Sequence, residues 1–246
     1  MLLNAEIALS TSKVLLVPYS TWHVPRYHEW MQDEEIQEAT ASEPLSIEEE
    51  YAMQRSWRQD ADKLTFIVCR PLTSSEAKSI ALSTESDSSQ NMVGDINLFL
   101  RIDDGDEGDA PPEIVGEIEL MIAEKANQGQ GFGKTSLLAF LRYIVERQAA
   151  IIEEFVNADV QPETVDKLRG ARASLGFACL SVKIGQANLR SLALFESLGF
   201  KKVSVEPNFF GEFELRRVEL GIGAIDEALA GAGVNDYLEI PYTRKE

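Results

Sequence analysis

A mixed α/β layer in one domain is what this sequence predicts, and three observations predict it. Short apolar runs rich in β-branched residues alternate with segments whose apolar side chains recur at helical spacing. The order this gives is β-α-α-β-β-β-α-β-α-β-β, without an internal repeat. The chain of 246 residues, 44% hydrophobic and 26% charged, has the proportions of one globular domain with a substantial core.

The elements follow in order. KVLLVPY (13–19) is a strand, and TWHVPRYHEWMQ sets Val24, Tyr27 and Trp30 at helical spacing. SIEEEYAMQRSW opens with Ser46 three residues before Glu49, a capping box, and continues with Tyr51, Met53 and Trp57 as helical anchors. KLTFIVC (63–69) is a strand. Residues 71–90, rich in Ser, Thr and charge, read as a flexible inserted loop. NMVGDINLFLR (91–101) and IVGEIELMIA (114–123) are strands flanking DDGDEGDAPP, a solvated connection that lacks the glutamate and helices of a calcium-binding EF-hand.

From Gly133 a helix carries Leu137, Leu138, Leu141, Ile144 and Val145 on one face; residues 148–177 extend it and add a second helix after Pro162. ACLSVKIG is a strand, NLRSLALFESLGF a helix closed by Gly199, and KKVSVE and FELRRVEL two last strands. Residues 221–246 show no long periodic segment and read as a loosely attached extension of a domain spanning 13–220.

The net charge of −18 argues against a nucleic acid or an anionic membrane as partner, since both require Lys and Arg to meet phosphates. It favours cationic partners such as amines and basic peptide termini. No apolar run spans a bilayer and the start carries polar and acidic breaks, so a cytoplasmic protein is expected. Cys69 and Cys179 lie in apolar runs without the Cys/His company of a zinc site; both read as reduced core residues, and no metal is expected. His23 and His28 match no ligand spacing and read as structural.

QGQGFGKT (128–135) ends like a P-loop, but that motif needs glycine at 128, where glutamine stands. Gly129, Gly131 and Gly133 also fail the G-x-G-x-x-G spacing of a dinucleotide fold. What remains is a strand, a glycine turn and a helix N-terminus with free N–H groups, a cradle for an anion such as a pyrophosphate; the competing explanation is a tight turn that needs glycine only for its backbone angles.

Gln128, Gly131 and Gly133, in the pattern Q-x-x-G-x-G between a strand and a helix, resemble the acetyl-CoA loop of the GNAT acetyltransferases. Asn188 opening a helix that ends LFESLGF is similar to that family's second motif. VLLVPYSTWHVPRYHEW, TASEPLSIEEEYAMQRSW, MVGDINLFL, GEIELMIAE and KIGQANLRSLALF look like the family's N-acetyltransferase-9-like branch, a likeness covering most of 13–220. The resemblance implies the GNAT acyl-CoA N-acyltransferase fold, a mixed central sheet with helices on both faces, and acetyl-CoA as cosubstrate. It implies that backbone groups of Met121, Ile122 and Ala123 pair with the pantetheine arm. Gln128, Gly129, Gln130, Gly131, Phe132, Gly133 and Lys134 would hold the pyrophosphate, and Asn188 would contact the cofactor or cap its helix.

Glu117 and Glu119, two apart on a strand, share one face while Ile118, Leu120 and Ile122 take the other. The resemblance places this strand at the centre of the sheet, where paired carboxylates raise one another's proton affinity and supply a base. Glu117 stands eleven residues before Gln128, a spacing at which some family members carry their catalytic glutamate, and is the first choice; Glu119 is the second. A lysine acceptor costs about 4.6 kcal/mol to deprotonate at pH 7 and an α-amine about 1.4, so an N-terminal α-amine asks less of such a base. Where many relatives carry a tyrosine that protonates the departing thiolate, this chain has Phe195, at the cofactor side of the last helix. The loop ATASEPLS (39–46) and the hairpin EPNFFGE (206–212), with Glu43 and Glu212, are expected to select a protein or peptide acceptor. A reading from another class, in which Phe195 marks lost catalysis, is an interaction module acting on a protein partner such as a cytoskeletal one.

Overall fold

A computed structural model describes the chain except for residues 74, 75, 77–81, 105–110, 172–174, 245 and 246. Among the described residues one sheet runs through the molecule. Its strands are β1 (Ile7–Ser10), β2 (Leu15–Pro18), β3 (Lys63–Cys69), β4 (Met92–Asp103), β5 (Glu113–Ile122), β6 (Phe177–Gly185), β7 (Lys201–Lys202), β8 (Glu212–Arg217) and β9 (Leu238–Pro241). In space they lie in the order β7-β8-β6-β5-β4-β3-β2-β1-β9. The one parallel pair is β5 with β6; the other neighbours are antiparallel.

The helices are α1 (Val24–Trp30), α2 (Glu34–Thr40), α3 (Ile47–Gln59), α4 (Phe132–Asp159), α5 (Pro162–Ala171), α6 (Leu189–Ser197) and α7 (Ile222–Gly231). The capping box forms as its sequence requires: Ser46 Oγ accepts from Glu49 N–H at 3.3 Å, and the Glu49 carboxylate from Ser46 N–H at 2.8 Å. The alternation along each strand fills two cores. Phe66, Ile96, Leu98, Ile118, Leu180 and Leu215 meet Phe140, Tyr143 and Ile144 of α4, with α6 and α7 on the same side. Leu15, Val17, Ile67 and Met121 meet Val24, Tyr27 and Trp30 of α1 on the other. Helices therefore cover both faces, as predicted, and Cys69 and Cys179 are buried free thiols.

The structure corrects three expectations. Residues 221–246 are not loosely attached: α7 buries Ile225 and Leu229 against the main core, Arg142 and Arg147 of α4 bind Asp226 at 2.8 Å and Glu239 at 2.6 Å, and β9 pairs with β1 as an edge of the sheet. The four-residue strands β1 and β9 are too short to show alternation; β1 pairs with β2 on its other side, whereas β9 has β1 as its ladder partner among the described residues. Secondly, the segment read as a flexible inserted loop buries Ser86 and Asp87 within the fold; residues 74, 75 and 77–81 lie outside the described residues, as do 105–110 of the acidic connection. Lastly, the segment read as the acceptor loop 39–46 begins inside α2, which ends at Thr40 and is capped by Ala41 with φ 50°. The extension of the helix over 148–177 is as expected, with α4 reaching Asp159 and α5 starting at Pro162.

Candidate active site

The site grows from the place where two strands part. β5 and β6 pair from Ile114 opposite Phe177 to Glu117 opposite Ser181, and there the ladder stops, although β5 runs on to Ile122 and β6 to Gly185. Beyond that point β5 has a partner on one side only. Ala123 N–H donates to Val93 O at 3.0 Å, so its donor is spent on the β4 side. By the alternation of an antiparallel ladder Leu120 and Ile122 turn their N–H and C=O groups the other way, into the opening. The Ile122 carbonyl accepts there from Gln128 Nε2 at 3.0 Å. Of the three residues expected to offer a free backbone edge, the ladder thus leaves Ile122, and it adds Leu120.

The glycine loop closes one end of this opening. Gly129 and Gly131 have φ of 75° and 92°, in the left-handed region that side chains rarely adopt. Gly131 is the N-cap of α4 and brings no side chain to cap it, so the first N–H groups of the helix face outward unanswered. A cavity of 510 Å³ lies before them. Its walls include Leu120 to Ala123, Gln128, Gly129, Gly131, Gly133, Lys134, Asn188 and Arg190. Gln130 and Phe132 are not among its lining residues; Phe132 packs on the core with the Arg70 guanidinium 5.7 Å from its ring. Asn188 caps α6, its Oδ1 accepting from Ser191 N–H at 3.1 Å. Arg190, which sequence reasoning missed, donates to Gln128 at 3.4 Å and sets a cation beside the loop. An unpaired strand edge, an uncapped helix start and two cations suit a long ligand with an anionic end.

A second cavity of 360 Å³ adjoins the first and shares Leu120, Met121, Asn188 and Ser191 with it. The sheet gives this cavity one polar face. Opposite residues in the β4–β5 register, Asn97 with Glu119 and Phe99 with Glu117, project the same way, and Asp95 stands opposite Met121. Glu117 is held by Lys183 of β6, Oε2 to Nζ 3.0 Å, a bridge just past the last paired residues. Glu119 opens to the cavity and has no hydrogen bond among the described residues. Its side chain is exposed to that cavity, and the surrounding walls, by thinning the water around it, push its carboxyl up to about 7, aided by the negative charges of Asp95 and Glu117 and opposed by Lys183. Asp95 is buried and accepts from Asn97 Nδ2 at 2.8 Å and from the Tyr27 hydroxyl at 3.4 Å. Its burial outweighs those hydrogen bonds and lifts it to about 6.

The sequence pair Glu117 and Glu119 is therefore brought together as predicted, but the two differ: one is in an ion pair, the other is unpartnered with a proton affinity matched to neutral pH. Asp95 and Lys183 were missed. The alternation in MVGDINLF puts Asp95 and Asn97 on one face, yet only the register shows that this face is the one with the glutamates.

Phe195 is buried, lines the second cavity and meets Phe200 edge-on with centroids 5.1 Å apart. Tyr143 lies in the core on the far face of the sheet, and the Tyr242 hydroxyl bonds Asp87 at 2.5 Å, so neither reaches the cavity in its place. His23 accepts from Ser20 N–H at 3.0 Å and His28 faces Glu50 at 3.8 Å, structural positions as expected. Glu212 and residues 38–42 line the cavity mouth; Glu43 is exposed and does not.

Comparison with known proteins agrees with this geometry. A family model described as an acetyltransferase (GNAT) domain matches residues 13–201. The chain is 41% identical over 217 residues to the Alpha/beta-tubulin-N-acetyltransferase 9 of Homo sapiens, spanning 88% of this chain and 85% of that protein. It is 38% identical over 237 residues to the N-acetyltransferase 9-like protein of Schizosaccharomyces pombe, spanning 88% and 99%. Among solved structures, spermidine N-acetyltransferase from Vibrio cholerae, in complex with CoA and spermine, shares the fold with a TM-score of 0.53 at 15% identity, over 83% of this chain and 94% of that one. Split strands, glycine loop and the Glu117 and Glu119 pair sit within the matched residues, and the chain belongs to the GNAT acetyltransferase family, as an N-acetyltransferase whose acetyl donor is acetyl-CoA.

Proposed function

We propose that this chain transfers acetyl to the N-terminal α-amine of a protein, tubulin being the acceptor class that the human relative's name supplies. One observation carries the reading: Glu119, unpartnered and raised to about 7, stands in the cavity that opens where β5 and β6 separate. A base of that strength accepts a proton from an α-amine at modest cost, whereas a lysine amine costs about 3 kcal/mol more.

In this reading the free edge of Leu120 and Ile122 would hold the donor's arm, and Gln128, Gly129, Gly131, Gly133 and Lys134, with Arg190 beside them, would hold its diphosphate. Acetyl-CoA supplies an activated carbonyl and a leaving thiolate. Glu119 takes the proton from the amine, while Lys183 keeps Glu117 occupied and in place. Neither Tyr143 nor Tyr242 replaces Phe195, and the hydroxyl of Tyr27, which lines the cavity, is engaged by Asp95; a thiol of ordinary pKa, about 8.5, leaves with little help from a proton donor. The cavity mouth, with Glu38 and Glu212, favours a cationic chain terminus.

Mass spectrometry of a randomised peptide library with free N-termini and internal lysines, incubated with labelled acetyl-CoA, tests the proposal. Label on the α-amine is the expected outcome. Label on lysine side chains alone refutes the α-amine assignment, and no label on any peptide despite CoA binding favours the interaction-module reading that Phe195 suggests.

A further inference from the structure

The floor of the second cavity carries charge that the protein itself leaves unanswered. Asp95 is 3% exposed, and its two donors, Asn97 and Tyr27, are both neutral. Among the described residues no Lys, Arg or His forms an ion pair with it or with Glu119. The cation that bears on Glu119, Lys183, is engaged by Glu117. A buried ionised carboxylate without a partner is a costly thing to keep, and a cation brought by a ligand removes the cost.

The geometry admits such a cation. Met121 is the register partner of Asp95, and Glu119 lies two residues from Met121, so Asp95 and Glu119 are diagonal neighbours on one face of adjacent strands. Diagonal neighbours stand roughly 7 Å apart. An ammonium nitrogen donating at about 2.8 Å to each of two carboxylates bridges oxygens about 5.6 Å apart, a separation the two side chains reach from that backbone spacing by a modest change of side-chain torsion.

We infer that Asp95 and Glu119 together form the seat for the acceptor's ammonium ion, Asp95 being the carboxylate that holds the charge and Glu119 the one that takes the proton. The inference rests on the reading of Glu119 as the base. The step is a proton transfer from R–NH3+ to Glu119, leaving a neutral amine and a neutral carboxylic acid; Asp95 stays ionised throughout and, by repulsion, favours the protonated form of Glu119. Asp95 is thus a positioning residue, and the acceptor enters as a cation. The other groups facing the pair do not supply that positive charge. From α1 comes the Tyr27 hydroxyl; from α3 comes Glu50, whose neighbour His28 is 3.8 Å from it; β5 and β6 contribute the closed pair Glu117 and Lys183; the mouth adds Glu38 and Glu212. The proton affinities agree, with Asp95 at about 6 and Glu119 at about 7.

The test uses Asp95→Asn in the full chain, with the best acceptor peptide from the library. KM for the acceptor should rise roughly tenfold or more, the loss of a charged hydrogen bond. The acid limb of kcat/KM should move to lower pH, because Glu119 loses a negative neighbour, and CoA affinity should stay within about twofold. An unmoved acid limb together with an unchanged acceptor KM, in a variant that binds CoA, overturns the inference. A second measurement needs no variant. Ethylammonium should compete with the acceptor peptide and not with acetyl-CoA, while ethanol should do neither; equal effects of the two overturn the seat. Both arms stand whether the reacting amine is an α-amine or a lysine, so failure here is distinct from failure of the α-amine assignment.

Discussion

Two aspartates are buried almost equally, Asp87 at 2% exposure and Asp95 at 3%, and they behave in opposite ways. Asp87 lies in the inserted segment and gathers donors from three directions: Trp22 Nε1 at 3.0 Å, the Tyr242 hydroxyl at 2.5 Å and Arg244 Nη1 at 2.5 Å, with His23 Nε2 at 3.4 Å. Burial raises its carboxyl, but the hydrogen bonds of His23, Tyr242 and Trp22 outweigh it and hold Asp87 at about 2. Asp95 has two neutral donors and sits at about 6. Burial alone therefore says little about role. What separates a structural clasp from a chemical group is whether the protein answers the charge itself or leaves it for a ligand.

The largest effect that would sharpen this contrast is on activity. Glu119→Gln should reduce kcat by about 10²- to 10⁴-fold, the range for loss of a general base, with CoA affinity retained by calorimetry. Glu117→Gln should cost less, since Glu117 is engaged by Lys183; a larger loss from Glu117 would reverse the assignment and restore the order that sequence spacing suggested.

The next effect concerns stability, with opposite signs for the two aspartates. Asp87→Asn leaves three donors short of a charged acceptor and should destabilise the fold by about 3 kcal/mol, read from urea midpoints at pH 7. The stabilisation Asp87 gives is fully present above its unfolded value and is lost as pH falls through about 2. Asp95 works the other way: its folded value lies above its unfolded one, so ionising it at neutral pH costs stability. Asp95→Asn should stabilise the fold at pH 7 by roughly 2 kcal/mol, and that gain should vanish below about pH 4, where both forms are neutral. Destabilisation by both variants at pH 7 would erase the distinction. The smallest effect is expected from Tyr242→Phe, which removes one donor from Asp87 and should cost about 1 to 1.5 kcal/mol without altering acceptor kinetics.

The sequence made some of this visible and hid the rest for physical reasons. Strand alternation placed Glu117 and Glu119 on one face without any structure, and the glycines at 129 and 131 announced a turn and a helix start. Asp95 stayed hidden because its meaning depends on the register between β4 and β5, which the intervening acidic connection leaves open to sequence reasoning. Asp87 stayed hidden because its partners lie at positions 22, 23, 242 and 244, and no local pattern joins an inserted loop to the end of the chain. The tail was misread for a related reason. A four-residue strand carries too little periodicity to be noticed, and the Arg142 and Arg147 contacts that fix its surroundings come from a helix some ninety residues earlier.

The pairing of β9 with β1 bears on how the molecule is assembled. Ser10 meets Leu238 and Ile7 meets Pro241, contacts that close a loop of more than two hundred residues. Loop-closure entropy of that size is paid late, so this ladder belongs among the last native contacts to form during synthesis or refolding. Until residue 241 has emerged, β1 presents an open row of amides and carbonyls to any passing strand, and a nascent chain stalled before that point is a template for mispairing.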